Sequence, residues 1–266
     1  MLTETHRYME YDIPVDLINL TGGGPDTFAL ISEQHIHHIQ QYVGIKSTDN
    51  VVEVGCGIGR DAIPLTMLLG KGGQYLGIDI IARSINWCSA NISKRHPNFR
   101  FVHFDVADQL HNPSGTLPIS ACHLPLPPGS VDLIILQSVF THMFADGMTS
   151  YMTEFARVLK STGRVYATCF VVDDALLSKL RDKPVTQWKI DFRHRHGEGC
   201  YINDPDSPTG AVAYSLPKLA QIVDSSRLKF SRPLIRGAWS ETVPDADCGQ
   251  DVMILEISGA PHVTRA

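Results

Sequence analysis

Hydrophobic residues along this chain fall into short continuous runs that alternate with stretches of helical period. Val51, Val52 and Val54 form a buried-type run. A helical pattern begins at Arg60 and Asp61. Further strands are predicted over Tyr75–Ile80, Phe99–Phe104, Val131–Gln137 and Arg164–Phe170. Helices are predicted over Ala82–Arg95 and Thr149–Leu159, with Ser161, Thr162 and Gly163 as a turn before the next strand. Leu133, Ile134, Ile135 and Leu136 are apolar without alternation, which is the signature of a strand covered on both faces. Strands alternating with helices predict an α/β class built from right-handed crossovers on a largely parallel sheet.

The flanks differ. Near the N-terminus, Asp26 is placed to cap a helix running to about Val43, whose apolar positions include Phe28, Ile31, Ile36 and Ile39. Residues 173–213 carry charges, prolines and glycines with mixed local signals, and read as an insertion or lid. Ser215 is placed to cap a helix to Ser225, and Leu228–Arg236 and Asp251–Ile257 predict a closing antiparallel hairpin. The expected organisation is one domain: an N-terminal helical cap over 1–48, a core over 49–172, the insertion, and a C-terminal helix and hairpin over 214–266.

Composition narrows this picture modestly. The 266 residues, 43% hydrophobic and 19% charged, are enough to bury a full core without staples. A net charge of −5 argues against a general nucleic-acid binder. No apolar run approaches the ~18 residues of a bilayer span, and Met1–Arg7 lack the order of a signal peptide. Six separated cysteines without a C-x-x-C pair read as reduced thiols, so a cytoplasmic location with no membrane association is expected.

The chemistry concentrates at strand ends. Gly55, Gly57 and Gly59 follow the first core strand and precede a helix, where glycine lets the backbone turn tightly and approach a ligand. The spacing is G-x-G-x-G, with Glu53 two positions before it. Arg60 stands where a dinucleotide fingerprint needs its third glycine, which disfavours a nicotinamide-dependent oxidoreductase. Asp79 ends the next strand, 24 residues after Gly55, where an acid accepts hydrogen bonds from both hydroxyls of a ribose. Asp105 follows the third strand, and Gln137 and Ser138 the fourth. Together these strand ends would line the crevice where open α/β sheets bind ligands.

Residues 51–171 therefore resemble a class I S-adenosylmethionine-dependent methyltransferase. The run Val51–Gly59 matches that family's glycine motif, Asp79 its ribose acid, Phe104, Asp105 and Val106 its adenine-side motif, and Val131–Gln137 its fourth strand. Glu154–Gly163 is similar to the helix and turn before the fifth strand, with Ser161–Thr162–Gly163 where the family often has Pro-Gly-Gly. The resemblance implies a Rossmann-like sheet of seven strands, mostly parallel with the last antiparallel, and helices on both faces. It implies S-adenosylmethionine as cofactor, S-adenosylhomocysteine as product, and cofactor contacts at Glu53, Gly55, Cys56, Gly57, Gly59, Arg60, Asp79, Ile80, Asp105, Val106, Gln137 and Ser138. The closing strand is similar to that of small-molecule members, so the expected partner is a small methyl acceptor, with nucleic acid disfavoured and a homodimer left open.

An oxygen acceptor must lose a proton to a base, and His142, just beyond the fourth strand, is the candidate. Asp146 is read as an orienter of His142 or as a helix cap. His35, His37 and His38 look metal-like, but residues 35 and 38 share a helix face while 37 turns away, so no metal is expected. His194 and His196, beside Arg193 and Arg195, form a locally basic stretch suited to an acidic acceptor. Tyr8, Tyr11, Trp188 and Trp239 are candidate pocket walls or core. Two alternatives stay open: a cofactor-binding module without turnover, and a methyltransferase acting on nitrogen, protein or nucleic acid.

Overall fold

The computed structural model describes residues 4–121, 123–182, 188–243 and 245–259; residues 1–3, Cys122, residues 183–187, Pro244 and residues 260–266 lie outside them. Contacts group the chain into two compact units, Met1–Pro118 with Val131–Ile135, and Ile119–Ser130 with Leu136–Thr264.

The first unit opens on an antiparallel hairpin, which precedes the expected N-terminal helix. Strands β1 (Thr5–Tyr8) and β2 (Tyr11–Pro14) pair Thr5 with Pro14 and Tyr8 with Tyr11. Four residues of alternation are too few to announce a strand. The hairpin is held by distant partners: Tyr8 meets Phe28 edge-on at 5.4 Å, and Tyr11 meets Trp87 at 6.1 Å with Arg95 over its face. Both tyrosines are thus core residues. A short helix α1 (Val15–Ile18) follows, then α2 (Pro25–Tyr42). Gly24, not Asp26, caps α2: its N–H donates to Thr27 Oγ1 at 3.1 Å, and Pro25 occupies the first turn.

Parallel strands β3 (Asn50–Val54), β4 (Gln74–Asp79) and β5 (Phe99–His103) come next, linked by α3 (Ala62–Leu68) and α4 (Ala82–Cys88). The helix expected over Ala82–Arg95 is one stretch that changes winding, continuing from α4 as a π-helix over Ser89–Ser93.

The second unit carries β6's carboxyl end (β6 is Val131–Leu136), then α5 (Ala145–Val158) and β7 (Leu159–Cys169). Helix α5 starts four residues before its expected Thr149. Ser161, Thr162 and Gly163, expected as a turn, are part of β7. The insertion is a folded layer of its own. Strand β8 (Val171–Val172), helix α6 (Asp174–Asp182), and strands β9 (His194–Gly197), β10 (Cys200–Ile202) and β11 (Val212–Ser215) give a four-stranded sheet in the order β8-β11-β10-β9. Its core gathers Phe170, Leu176, Leu177, Leu180, Phe192 and the fully buried Trp239. Helix α7 (Leu216–Asp224) is capped as expected, with Ser215 Oγ accepting from Lys218 N. Strand β12 ends early (Leu228–Phe230), and β13 (Asp251–Ile257) has its predicted bounds.

The main sheet has seven strands in the order β12-β13-β7-β6-β3-β4-β5. Strand β13 runs antiparallel to β7, so the mostly parallel sheet with an antiparallel last strand is as expected. No helix among the described residues is long and apolar enough to cross a membrane.

Candidate functional site

In the first unit the glycine loop explains its own spacing. Gly55, Gly57 and Gly59 all have positive φ, at 78°, 52° and 80°. An L side chain in that region costs roughly 1–2 kcal/mol, so every second position of the loop is reserved for glycine. Gly55 N and Cys56 N both donate to Ile78 O, which ties the loop to the end of β4. A Cβ on Gly57 would sit 2.6 Å from Thr21 Cγ2, and one on Gly59 would sit 2.7 Å from Ile92 Cδ1. The N-terminal segment and the π-wound stretch thus press on the loop from two sides.

This gives a direct test. Gly57→Ala is expected to destabilise the fold by about 1–3 kcal/mol, from φ strain plus the Thr21 contact. Adding Thr21→Ser deletes Cγ2 while keeping the hydroxyl that donates to Ile18 O. The double variant should recover the steric part only. An unchanged urea midpoint for Gly57→Ala would contradict the cradle geometry.

Asp79 is buried, and both of its carboxylate oxygens are engaged. Gly57 N donates to Oδ2 at 2.7 Å and Ile81 N to Oδ1 at 2.8 Å. Burial pushes the carboxyl above its usual range, and the two N–H groups work against that. Each carboxylate oxygen can accept a second bond, so the pair retains capacity for two hydroxyls. Ile80 offers its carbonyl to His103 Nε2 at 3.1 Å.

Glu53 lies beneath the loop, buried, where Tyr75 donates to its Oε2 at 2.5 Å. Burial, and then the charge of Asp61, hold this carboxyl well above the ordinary range. Asp61 is buried too and pairs with His35 Nδ1 at 2.8 Å, which gives that histidine a structural partner. Arg60 reaches away from the loop and donates to Gly22 O at 2.7 Å. Cys56 and Cys88 both point their thiols at Gly57 O, and burial raises both. Cys56 fills the space over Gly77, where a Cβ would come within 2.9 Å of its sulfur.

Asp105 is spent on its own loop. Asn112 Nδ2 donates to its Oδ1 at 3.1 Å, and Thr116 Oγ1 to its Oδ2 at 2.6 Å. Val106 beside it is buried and bridges to Leu117.

In the second unit, Ser138 follows β6 with a positive φ of 58°, a strained conformation for a residue with a side chain. Two partners impose it: its N–H donates to Thr168 Oγ1 at 2.7 Å, and its hydroxyl to Gln250 Oε1 at 3.1 Å. Gln137 is buried, and its amide nitrogen has no partner among the described residues. His142 closes a short 3-10 turn (Phe140–His142). Its Nδ1 lies 2.8 Å from Thr209 O. A carbonyl only accepts, so Nδ1 carries the proton and the neutral ring has its lone pair on Nε2. Thr209 orients the imidazole. Asp146 lies in the first turn of α5, whose N-cap is Phe144, so it is not the helix cap.

Several features escaped the sequence reading. His196 stacks on Phe144 at 4.4 Å. Tyr214 donates to Met143 O at 3.0 Å. Arg193 pairs with Asp191. The first two of these span 50 or more residues and leave no periodic trace in a sequence. Among the described residues, no three His, Cys, Asp or Glu side chains converge to hold a metal ion.

Known proteins bear out the fold and the family. Residues 45–209 match the family model of the methyltransferase domain. The chain is 28% identical over 158 residues to the arsenite methyltransferase of Aquipseudomonas alcaligenes, covering 55% of this chain and 43% of that one. It is 29% identical over 128 residues to a Homo sapiens tRNA N(3)-cytidine methyltransferase, covering 47% of this chain and 30% of that one. It thus spans less than half the length of these curated relatives. In fold it is similar to the 1,6-didemethyltoxoflavin-N1-methyltransferase of Burkholderia thailandensis, solved with bound 1,6-didemethyltoxoflavin and S-adenosylhomocysteine. The TM-score is 0.54 at 16% identity, over 86% of this chain and 79% of that one. Since the family model takes in more than half of its residues, the chain belongs to the methyltransferase domain family.

Proposed function

We propose that this chain is an S-adenosylmethionine-dependent methyltransferase of class I that methylates a small acceptor on oxygen, with His142 as the base. The observation that carries the cofactor half is the cradle: three left-handed glycines at alternate positions, with the loop's central N–H held by the buried Asp79 carboxylate. That arrangement fits a nucleoside bearing a charged tail. The glycines let the ligand approach the backbone, and the spare acceptor capacity of Asp79 suits two ribose hydroxyls. Gly55, Cys56, Gly57, Gly59, Arg60 and Ile80 would shape the cradle, and Val106 would offer backbone contacts to the base. Asp105 would act there through the loop it organises. Glu53, its carboxyl held above the ordinary range by burial, would support the loop from below. Gln137 and Ser138, in the second unit, are kept as proposed donor-binding residues.

When bound, S-adenosylmethionine supplies an already activated methyl group, so the chain must mainly orient the acceptor and take its proton. The lone pair on His142 Nε2, set by the Nδ1 bond to Thr209, is suited to that proton. The tRNA-modifying relatives favour a second reading, a nucleotide acceptor. The net charge of −5 weighs against it, because a polyanion needs a basic face.

Titration calorimetry with S-adenosylhomocysteine tests the cofactor half, and absence of binding by the wild-type chain would refute it. Transfer of radiolabelled methyl to a panel of phenols and other hydroxyl compounds, with total tRNA in parallel, tests the acceptor. His142→Gln is expected to leave S-adenosylhomocysteine affinity within about threefold and to slow transfer by roughly 10²–10⁴-fold. A variant that transfers at the wild-type rate removes the base assignment, and labelling of tRNA alone replaces the small acceptor.

A further inference from the structure

Within the first unit, the N-terminal segment meets the glycine loop at one short stretch. Residues Asn19–Gly24 join α1 to α2. Asn19, Leu20, Gly22 and Gly23 are exposed, whereas Thr21 is half-buried with its methyl against Gly57. The face of Gly57 that a Cβ would fill is taken by Thr21, while Gly57 N donates to Asp79. One glycine therefore touches both the N-terminal segment and the acid assigned to the ribose.

Arg60 fastens this stretch to the loop. Its Nη1 donates to Gly22 O at 2.7 Å, and its own carbonyl accepts from Ser32 Oγ of α2 at 2.6 Å. The two ends of the stretch are anchored independently. Asp16 of α1 pairs with Arg83 of α4, and Gly24 N donates to Thr27 Oγ1 of α2. Between those anchors the glycines divide into two kinds. Gly23 is required by its conformation: its φ is 85°, and a Cβ there would sit 2.7 Å from Thr27 Oγ1. Gly22 and Gly24 have no atom within 4 Å of a Cβ position and no positive φ. Nothing in the observed arrangement demands glycine at either place. What glycine adds there is freedom to leave that arrangement.

We propose that Asn19–Gly24 is a strap over the glycine loop that swings on Gly22 and Gly24 and is latched by Arg60, so that the latch sets how fast the nucleoside enters and leaves. Resting on the S-adenosylmethionine reading above, this makes Arg60 a gatekeeper of the cofactor, in keeping with a side chain that turns from the loop to the strap. Lifting the middle of the strap breaks the Arg60 bond and the Thr21 contact, and leaves both end anchors in place. A half-exposed hydrogen bond from a charged donor corresponds to about tenfold in the ratio of closed to open strap. Its loss raises the open fraction with and without ligand alike. Entry and exit then speed up together, and affinity hardly moves, because the latch does not distinguish the two states of the site. Alanine at Gly22 and Gly24 acts in the opposite direction. It fits the closed strap without strain and removes conformations from the open one.

The test is surface plasmon resonance of the immobilised full chain with S-adenosylhomocysteine, which reads both rates and the affinity. Arg60→Met, which keeps the length of the side chain but not the donor, should raise association and dissociation by about tenfold each, with affinity within about threefold of wild type. The double variant Gly22→Ala/Gly24→Ala should slow both rates by about threefold to tenfold, again with little change in affinity. Should Arg60→Met fail to fold by circular dichroism, the glycine pair decides alone. An Arg60→Met protein in which only dissociation rises makes Arg60 a direct ligand contact and overturns the strap. Wild-type rates in the glycine pair overturn it as well, and both results leave the cofactor reading intact. A wild type that does not bind S-adenosylhomocysteine overturns both.

Discussion

Asp79→Ala is expected to weaken S-adenosylhomocysteine binding by about 100-fold in calorimetry at neutral pH. The variant removes a carboxylate with acceptor capacity for two hydroxyls, and bonds to a charged acceptor are worth roughly 1.5–3 kcal/mol each. Two at the low end sum to about 3 kcal/mol, and about 1.4 kcal/mol is tenfold. The same change frees Gly57 N and Ile81 N, so the loop loses a brace as well as the ligand its partner. Asp79→Asn keeps one acceptor oxygen and should fall between the two. Far-ultraviolet circular dichroism on each variant separates lost binding from lost fold. A loss below about fivefold in a folded Asp79→Ala protein would move the ribose away from Asp79.

Asp251→Ala should be the most destabilising single change outside the cofactor cradle, by about 3–5 kcal/mol in urea unfolding. Asp251 begins β13 with no solvent exposure and gathers four donors. Val171 N and Trp239 Nε1 donate to Oδ2 at 2.8 and 2.9 Å, Gly237 N donates to Oδ1 at 2.9 Å, and Arg236 Nε lies 3.3 Å from Oδ1. Removing the carboxylate strands three buried N–H groups and cuts the anchor of Trp239, which sits at the centre of the insertion's core. Against a typical total of about 5–15 kcal/mol, that is a large share. Burial raises the folded carboxyl above its unfolded value, so its charged form costs the native state something. Wild-type stability therefore has a component that is full below the ordinary carboxylate range of about 4 and declines as pH rises through the folded value. The alanine variant should lack that component. A loss under about 1 kcal/mol would show that other contacts hold the insertion in place.

Much of the cofactor half was legible because its signals are local. The left-handed glycines sit at the predicted positions, Asp79 lies at its strand end, and the uninterrupted apolar run of β6 marks a strand buried on both faces. Ser215 capping α7 and the bounds of β13 are equally local, since a cap or a strand pattern is complete within a few residues. Where the reading erred, the deciding partner lay elsewhere. The β1–β2 hairpin depends on Phe28 and Trp87, and the insertion's sheet depends on β11 returning to β8 after some forty residues.

By itself, then, the sequence determined the alternation of the core, the glycine cradle with its acid, and the family these imply. Each rests on backbone conformation or on a periodicity that a few neighbouring residues specify. Tertiary structure alone decided the rest. It set the tautomer of His142 through Thr209, the strain at Ser138 through Thr168 and Gln250, and the burial of Asp251 among donors from two distant segments. Those are bonds between residues distant in the chain, and their energy exists only once folding has brought donor and acceptor out of water and within reach of each other.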